Sequence, residues 1–454
     1  MKKILVLGAG RSSNSLIDYL LKESVPNNWK IRVGEFNVQL AQDCLNGHPN
    51  GEAFQCDIND ENQRNQEIAA ADLVISMVPA RFHVLAAECC AEHGVDMITA
   101  SYVSDEIKAL DQKFKDKDKI MIMECGLDPG IDHMSGMKIL DQIREKGFEL
   151  RGFETFTGGL LAPNPDDDNP WHYKFTWNPR NVVLAGQGIV KFIQEEKLKY
   201  IPYHRLFRRY EMIHVPGYGY FEGYANRDSL KYLDVYKLQG IGTLYRGTLR
   251  RPGFCKAWNI FVQLGATDDT YEIDGVKDMS HREFINSFLY FNPNDSVELK
   301  LAHYLNIDIE AEVMLRLRWL DIFSHEPIGL DKGTPAQILE HILKKKWTLK
   351  PDEKDMIVMF HKFDFLEKGN PRQILSHMVL EGKGSKNTAM SQTVGLPLGI
   401  AAKMILTGKI NSRGVKVPIE KDLYDPILNE LEQYGVKFEE REVDPASHQT
   451  VPLS

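Results

Sequence analysis

Apolar residues recur over the first 125 positions in short runs of strand length, separated by stretches whose apolar positions fall at helical spacing. The run 3–7 comes first, glycine follows it, and Leu16, Ile17, Leu20 and Leu21 then line one face of a helix. Runs at 30–36, 52–57, 72–77 and 96–100 continue the alternation, and 119–123 supplies a sixth. Strands alternating with helical crossovers predict a parallel sheet covered on both faces, because parallel neighbours must be joined across the sheet. From Leu150 the texture changes, with aromatic and β-branched residues dominating through Tyr245 and Gly158-Gly159 and Pro216-Gly217 punctuating them. That texture predicts a mixed or antiparallel sheet. Between about 268 and 368 the pattern turns helical, with Val313, Leu317 and Leu320 in a stripe at four- and three-residue steps. The small, apolar segment 394–405 suits a helix packed closely on another element, returning to the first domain, and 422–434 predicts an amphipathic helix.

With 454 residues the chain exceeds what one core supports, since single cores stop growing at roughly 250–300 residues. The expected fold class is α/β: a Rossmann dinucleotide-binding domain over 1–125 plus about 385–411, a second α/β domain over 126–267 plus 412–454, and a mostly helical insertion over 268–384. A hydrophobic fraction of 43% and a charged fraction of 26% belong to an ordinary soluble enzyme. The net charge of −9 argues against nucleic acid as a partner, because phosphate-backbone binding needs a basic domain. Six cysteines without metal-ligand spacing or disulfide-scaffold density predict a reducing, cytoplasmic setting and no metal site. The N-terminal apolar run is too short for a secretory signal, and no uninterrupted apolar segment reaches membrane-spanning length, so the expectation is a protein without a membrane.

Candidate chemistry begins at Gly8-Ala9-Gly10-Arg11-Ser12-Ser13, between the first strand and the first helix. There a dinucleotide pyrophosphate would meet unpaired helix N–H groups and the positive dipole end, and Gly8 and Gly10 let the backbone come close. Ser13 stands where the fingerprint has its third glycine, and is small enough to keep helix and strand packed. Glu35 ends the second strand at the distance where a carboxylate accepts the adenosine ribose hydroxyls and repels a 2′-phosphate. NAD is therefore favoured, with NADP left open by the neighbouring Arg11 and Arg32. Asp57-Ile58 ends the third strand and would border the adenine, while Val78-Pro79 follows the fourth beside the path to the nicotinamide.

Four longer motifs stand in order: Ser101-Tyr102-Val103-Ser104, Cys125-Gly126-Leu127-Asp128-Pro129-Gly130-Ile131-Asp132-His133, Gly158-Gly159-Leu160-Leu161-Ala162-Pro163, and the run from Asn169 to Trp177. Asn226-Arg227-Asp228-Ser229 and Tyr245-Arg246-Gly247-Thr248-Leu249-Arg250 follow. In these motifs the chain resembles the saccharopine dehydrogenases, in their glutamate-forming branch, over most of its length. The resemblance implies a Rossmann domain joined to an α/β substrate domain and a helical domain. It also implies oxidation of saccharopine to glutamate and 2-aminoadipate 6-semialdehyde, or the reverse, in lysine metabolism.

Under that resemblance Arg227 and Arg250 match family substrate contacts, and a planar guanidinium suits a ligand with three carboxylates. Ser101, Thr248 and Trp177 are placed with them as substrate contacts, the indole N–H being able to donate to a carboxylate. Tyr102 and Asp128 are the candidates for proton handling as well as substrate contact, and His133 is held in reserve. Gly130 and Ile131 are expected beside the nicotinamide. Relatives often carry a cysteine where this chain has Thr157, which cannot titrate near neutrality. A small amino-acid substrate is the expected partner, and a homodimer is compatible with it. The rival readings are a carboxynorspermidine-type synthase, whose polyamine would want carboxylates in place of the arginines, and a non-catalytic NAD-sensing Rossmann protein.

Overall fold

The structure, a computed structural model, describes residues 1–164 and 168–445. It divides into two compact units, Met1–Gly147 with Met378–Glu439, and Phe148–His377 with Glu440–Ser454, of which 446–454 lie outside the described residues.

Unit 1 is built on the strands β1 (Lys2–Leu7), β2 (Trp29–Glu35), β3 (Gly51–Gln55), β4 (Leu73–Ser76), β5 (Asp96–Thr99) and β6 (Ile120–Ile122). They lie parallel in the order β6-β5-β4-β1-β2-β3, and Gly414–Lys416 extends the sheet beyond β6. The six strands expected from the apolar runs are present with ends shifted by a residue or two. Their sequences are continuously apolar because both faces are covered; Leu73, Val74 and Ile75 are fully buried. Chain order reverses between β1 and β4, so ligands are expected at the carboxyl ends of these strands.

The helix Ala389–Leu406 closes one face of unit 1 against the helix Asn14–Asn27. A side chain at Gly395 would place its Cβ 2.7 Å from the Leu16 nitrogen, which explains the small-residue sequence at the contact. By length and apolarity this helix could cross a membrane, yet most of it is buried inside the unit.

Unit 2 contains β7 (Glu149–Leu161), β8 (Ile189–Gln194), β9 (Lys197–Pro202), β10 (Tyr210–Val215), β11 (Gly219–Ala225) and β12 (Thr243–Arg250). A short pair, β13 (Ile273–Asp274) and β14 (Lys332–Gly333), precedes the long strands β15 (Asp355–Glu367) and β16 (Asn370–Glu381). Among the described residues the main sheet has nine strands, running β10-β11-β12-β7-β15-β16 and on to Glu439–Val443, with β8 attached to β12 and β9 to β8. β12 and β7 are parallel, while β10, β11 and β12 pair antiparallel in sequence, as do β7 and β15. The sheet is therefore mixed.

The helical expectation for 268–384 holds only in part. Helices His281–Asn286, Val297–Leu305, Glu312–Trp319 and Pro335–Trp347 fill its first part, the last one opened by a capping box between Thr334 and Gln337. From Asp355 onward the chain is strand instead. Met356 to Met359 is an unbroken buried run, and buried Phe363 and Phe365 then alternate with Lys362 and Asp364, a strand covered on both faces at one end and on one face at the other. Nor do these helices stand apart from the sheet's unit. Trp347 packs edge-on against Trp171 at 5.3 Å and Tyr173 at 4.9 Å between ring centroids, within one aromatic core.

Candidate functional site

In unit 1 the glycine turn leaves β1 at Gly8, whose φ of +100° suits glycine and whose N–H donates to the Gly34 carbonyl at 2.8 Å. A Cβ at Gly8 would lie 3.0 Å from the Met77 carbonyl, so the turn hugs the end of β4. Ser13 closes the turn, its N–H donating to Gly10 O at 2.9 Å and its hydroxyl to Gly8 O at 3.4 Å, and it places no side-chain cap on the helix that follows. Gly10 and Arg11 are exposed at the tip and Ser12 is half-buried. An exposed turn of small residues in front of a helix N-terminus fits a pyrophosphate.

Glu35 sits at the end of β2, and its carboxylate accepts the Ala9 N–H at 2.7 Å, tying down the glycine turn. Arg32 is engaged with Glu67 and Glu52. Asp57 accepts from the Asn59 N–H at 2.9 Å and closes its own turn, while Ile58 joins the apolar core beside Leu5 and Leu7. Val78 and Pro79 follow β4, half-buried and exposed respectively.

Past β5 the chain is pinned from two sides. Ser101 Oγ lies 2.6 Å from His83 Nε2, and the Ser101 carbonyl accepts the Glu124 N–H at 3.0 Å. Tyr102 donates its hydroxyl to Asp128 Oδ1 at 3.4 Å, so the two proton-handling candidates are in contact. Glu124 accepts the Val103 N–H at 3.0 Å through one oxygen and meets His133 Nε2 at 2.7 Å through the other. Burial pushes the Glu124 carboxyl up, but the His133 hydrogen bond and charge, with the Val103 N–H, outweigh it and hold the group below its ordinary range. His133 is thus a buried partner of Glu124. Gly130 and Ile131 are buried at the start of the helix Ile131–Glu145, where the Gly130 N–H donates to Asp132 Oδ1 at 2.6 Å.

In unit 2 the register sets Thr248 of β12 opposite Tyr224 of β11 and Thr157 of β7. Arg250 ends β12 only 6% exposed, its guanidinium 4.9 Å from the Tyr173 ring centre and 5.2 Å from that of Phe254. The one hydrogen bond its guanidinium makes among the described residues is from Nη1 to the Leu249 carbonyl at 2.9 Å, and no described carboxylate lies within 4 Å of it. Glu222, its cross-strand neighbour, is turned to the N–H groups of Gly253 and Cys255 at 2.6 and 2.8 Å. Buried cations are normally paired. The Tyr173 hydroxyl and Thr157 Oγ1, both buried, have no hydrogen-bond partner among the described residues either. Arg227 occupies the exposed turn after β11, its carbonyl accepting the Lys191 N–H at 3.0 Å, and Trp177 is half-buried ahead of the short helix Pro179–Val183. No motif of the sequence points to His83, and nothing singles out Tyr173 within the run from Asn169 to Trp177; an unpaired buried cation becomes visible only once strands are in register.

Two family models match the chain: the saccharopine dehydrogenase NADP binding domain over residues 4–122, and the saccharopine dehydrogenase C-terminal domain over 126–436. The chain is 30% identical over 454 residues to the NADP(+), L-glutamate-forming saccharopine dehydrogenase of Schizosaccharomyces pombe, covering 98% of this chain and 100% of that protein. It is 31% identical to the mitochondrial alpha-aminoadipic semialdehyde synthase of Rattus norvegicus, covering 96% of this chain and 47% of that longer protein. The apo, histidine-tagged L-Glu-forming saccharopine dehydrogenase of Saccharomyces cerevisiae superposes with a TM-score of 0.88 at 29% identity, over 98% of this chain and 100% of that one. These findings support a nicotinamide dinucleotide, but not the preference for NAD drawn from Glu35, since the matched domain and the fungal relatives are named for NADP. With its carboxylate on the Ala9 N–H, Glu35 has a structural task at the strand end that the sequence spacing cannot distinguish from a ribose contact.

Proposed function

The chain belongs to the saccharopine dehydrogenase family, and on that premise we propose that it interconverts saccharopine with glutamate and 2-aminoadipate 6-semialdehyde, with a nicotinamide dinucleotide as hydride carrier. The bound cofactor supplies the acceptor for the hydride that leaves the carbon next to the secondary amine. Binding, orientation and proton movement fall to the chain. The turn from Gly8 through Gly10, Arg11 and Ser12 to Ser13 takes the pyrophosphate, Asp57 and Ile58 border the adenine, and Val78, Pro79, Gly130 and Ile131 lie toward the nicotinamide. NADP(H) is the form proposed, following the names of the fungal relatives.

One observation carries the substrate assignment: Arg250 is a buried guanidinium with no carboxylate among the described residues. A tricarboxylate ligand supplies what it lacks, whereas a polyamine would add a second cation to a site that already holds one. Arg227, more exposed, takes a second carboxylate, with Thr248 and Trp177 fixing the ligand between them. Ser101 contacts the substrate amine end. Tyr102 and Asp128, joined by their hydrogen bond, pass protons between the amine and the attacking water. With Thr157 unable to titrate near neutrality, no thiol is needed at that position.

The test is a spectrophotometric assay of the purified protein with saccharopine and each of NAD and NADP, followed by identification of the amino acid released. Reduction of the nicotinamide with glutamate as product is expected, faster with NADP. Release of lysine, or no turnover with either cofactor, overturns the reading.

A further inference from the structure

His83 is the first residue of the helix His83–His93, and its ring is 2% exposed at the carboxyl ends of β4 and β5. Nδ1 lies 2.8 Å from the hydroxyl of Ser76, the last residue of β4. Nε2 lies 2.6 Å from Ser101 Oγ and 3.4 Å from Thr99 Oγ1, Thr99 being the last residue of β5 and in register with Ser76. One imidazole therefore joins both strand ends to the first residues of the loop beyond them. Burial drives its pKa down to about 4, so near neutrality it carries no charge and donates through one nitrogen while accepting through the other. Ser76 and Thr99 are buried with it, whereas Ser101 is half-buried and keeps an exposed side.

We propose that His83 is a positioning residue for the reaction: it fixes the rotor of the Ser101 hydroxyl, and with it the Ser101-Tyr102 backbone, in the orientation that receives the substrate. Its burial keeps it from touching substrate itself. The inference rests on the saccharopine reading above and extends it by one residue that no motif marks. The opposite wall of the same loop is held by Glu124 through the Ser101 carbonyl and the Val103 N–H, so loss of the imidazole frees the hydroxyl without releasing the backbone from both sides. The ring also exerts its hold through a defined atom. A glutamine amide reaches the position of Nε2 and an asparagine amide that of Nδ1, so the two substitutions separate the Ser101 contact from the Ser76 contact.

Steady-state kinetics of the full chain test this. His83→Asn, which keeps only the Ser76 contact, is expected to raise KM for saccharopine roughly tenfold, the worth of one hydrogen bond, with cofactor KM within about twofold of wild type. His83→Gln recovers most of that affinity. Ser101→Ala gives the same rise, and His83→Asn in the Ser101→Ala background adds nothing further, because the histidine acts through that hydroxyl. If Ser101→Ala is impaired while His83→Asn matches wild type, or if the two losses add, His83 does not position Ser101 and the inference fails alone. A Ser101→Ala protein with wild-type KM removes the contact and the inference together. Absence of any saccharopine turnover in the wild type instead removes the underlying reading. Should His83→Asn not fold, the comparison of His83→Gln with Ser101→Ala decides the same question: equal losses in both overturn the role assigned to Nε2.

Discussion

An arginine buried without a counter-ion weakens a fold, because the guanidinium gives up water and receives little in return. Arg250 is in that position, and the aromatic faces of Tyr173 and Phe254 repay only part of the loss. Arg250→Met should therefore leave the melting temperature of the ligand-free protein unchanged or raise it, while kcat/KM for saccharopine falls by roughly 10²–10³, the effect of truncating one partner of a buried charge pair. A variant that melts well below wild type yet turns over saccharopine normally would show that the arginine serves the fold. His83 allows a prediction about acid. Its pKa is near 4 in the folded chain against 6.5 as a free group, so above pH 6.5 neither state is protonated and the full stability is present. Between those values the unfolded chain binds a proton that the folded chain excludes, and stability drains away as pH falls, by about 3 kcal/mol in all, with no further loss below pH 4. Denaturant melts of wild type and His83→Gln across this window should give a difference that shrinks as pH falls; a pH-independent difference refutes the buried neutral imidazole. At this scale the sequence made Arg250, Asp128 and Tyr102 legible because they sit in motifs. It could not show which of them would lack a partner.

At the scale of elements, what matters is how closely neighbours approach. The helices Asn14–Asn27 and Ala389–Leu406 meet where Gly395 faces the Leu16 backbone and Gly399 faces the Tyr19 ring. Backbone cannot swing aside as a side-chain end can, so Gly395→Ala should destabilise unit 1 by about 1–3 kcal/mol through overpacking, whereas Gly10→Ala, with open space around it and no positive φ to strain a side chain, lacks that penalty. Paired thermal melts check this, and equal shifts would mean that the helices separate without penalty. The small-residue pattern of 394–405 already announced that contact, and the six apolar runs announced β1 to β6, since a parallel sheet buried on both faces leaves an unmistakable local signature. β15 and β16 were not legible in the same way. The run Met356–Val358 is as compatible with a buried helix as with a buried strand, and what decides between them is pairing with β7, two hundred residues earlier in the chain.

For the whole molecule, the division of labour between the units can be tested without reference to turnover. Ligand that binds only the folded state stabilises it by RT ln(1 + [L]/Kd), about 2.7 kcal/mol at a hundredfold excess over Kd, and amides report this locally when opening is sub-global. NADP should slow hydrogen exchange in unit 1 at the Gly8–Ser13 turn and at the ends of β1 and β4. Saccharopine should slow it in unit 2 along β12 and around Tyr173, beside the Arg250 guanidinium. The two footprints follow from different physics: backbone N–H groups and a helix dipole hold phosphate in one unit, and a desolvated guanidinium holds carboxylate in the other. Arg250→Met should erase the saccharopine footprint on β12 while leaving the NADP footprint intact, since the cofactor makes no use of that cation. If NADP instead protects β12, or if saccharopine protects only the glycine turn, the assignment of phosphate to unit 1 and carboxylate to Arg250 is wrong at its root.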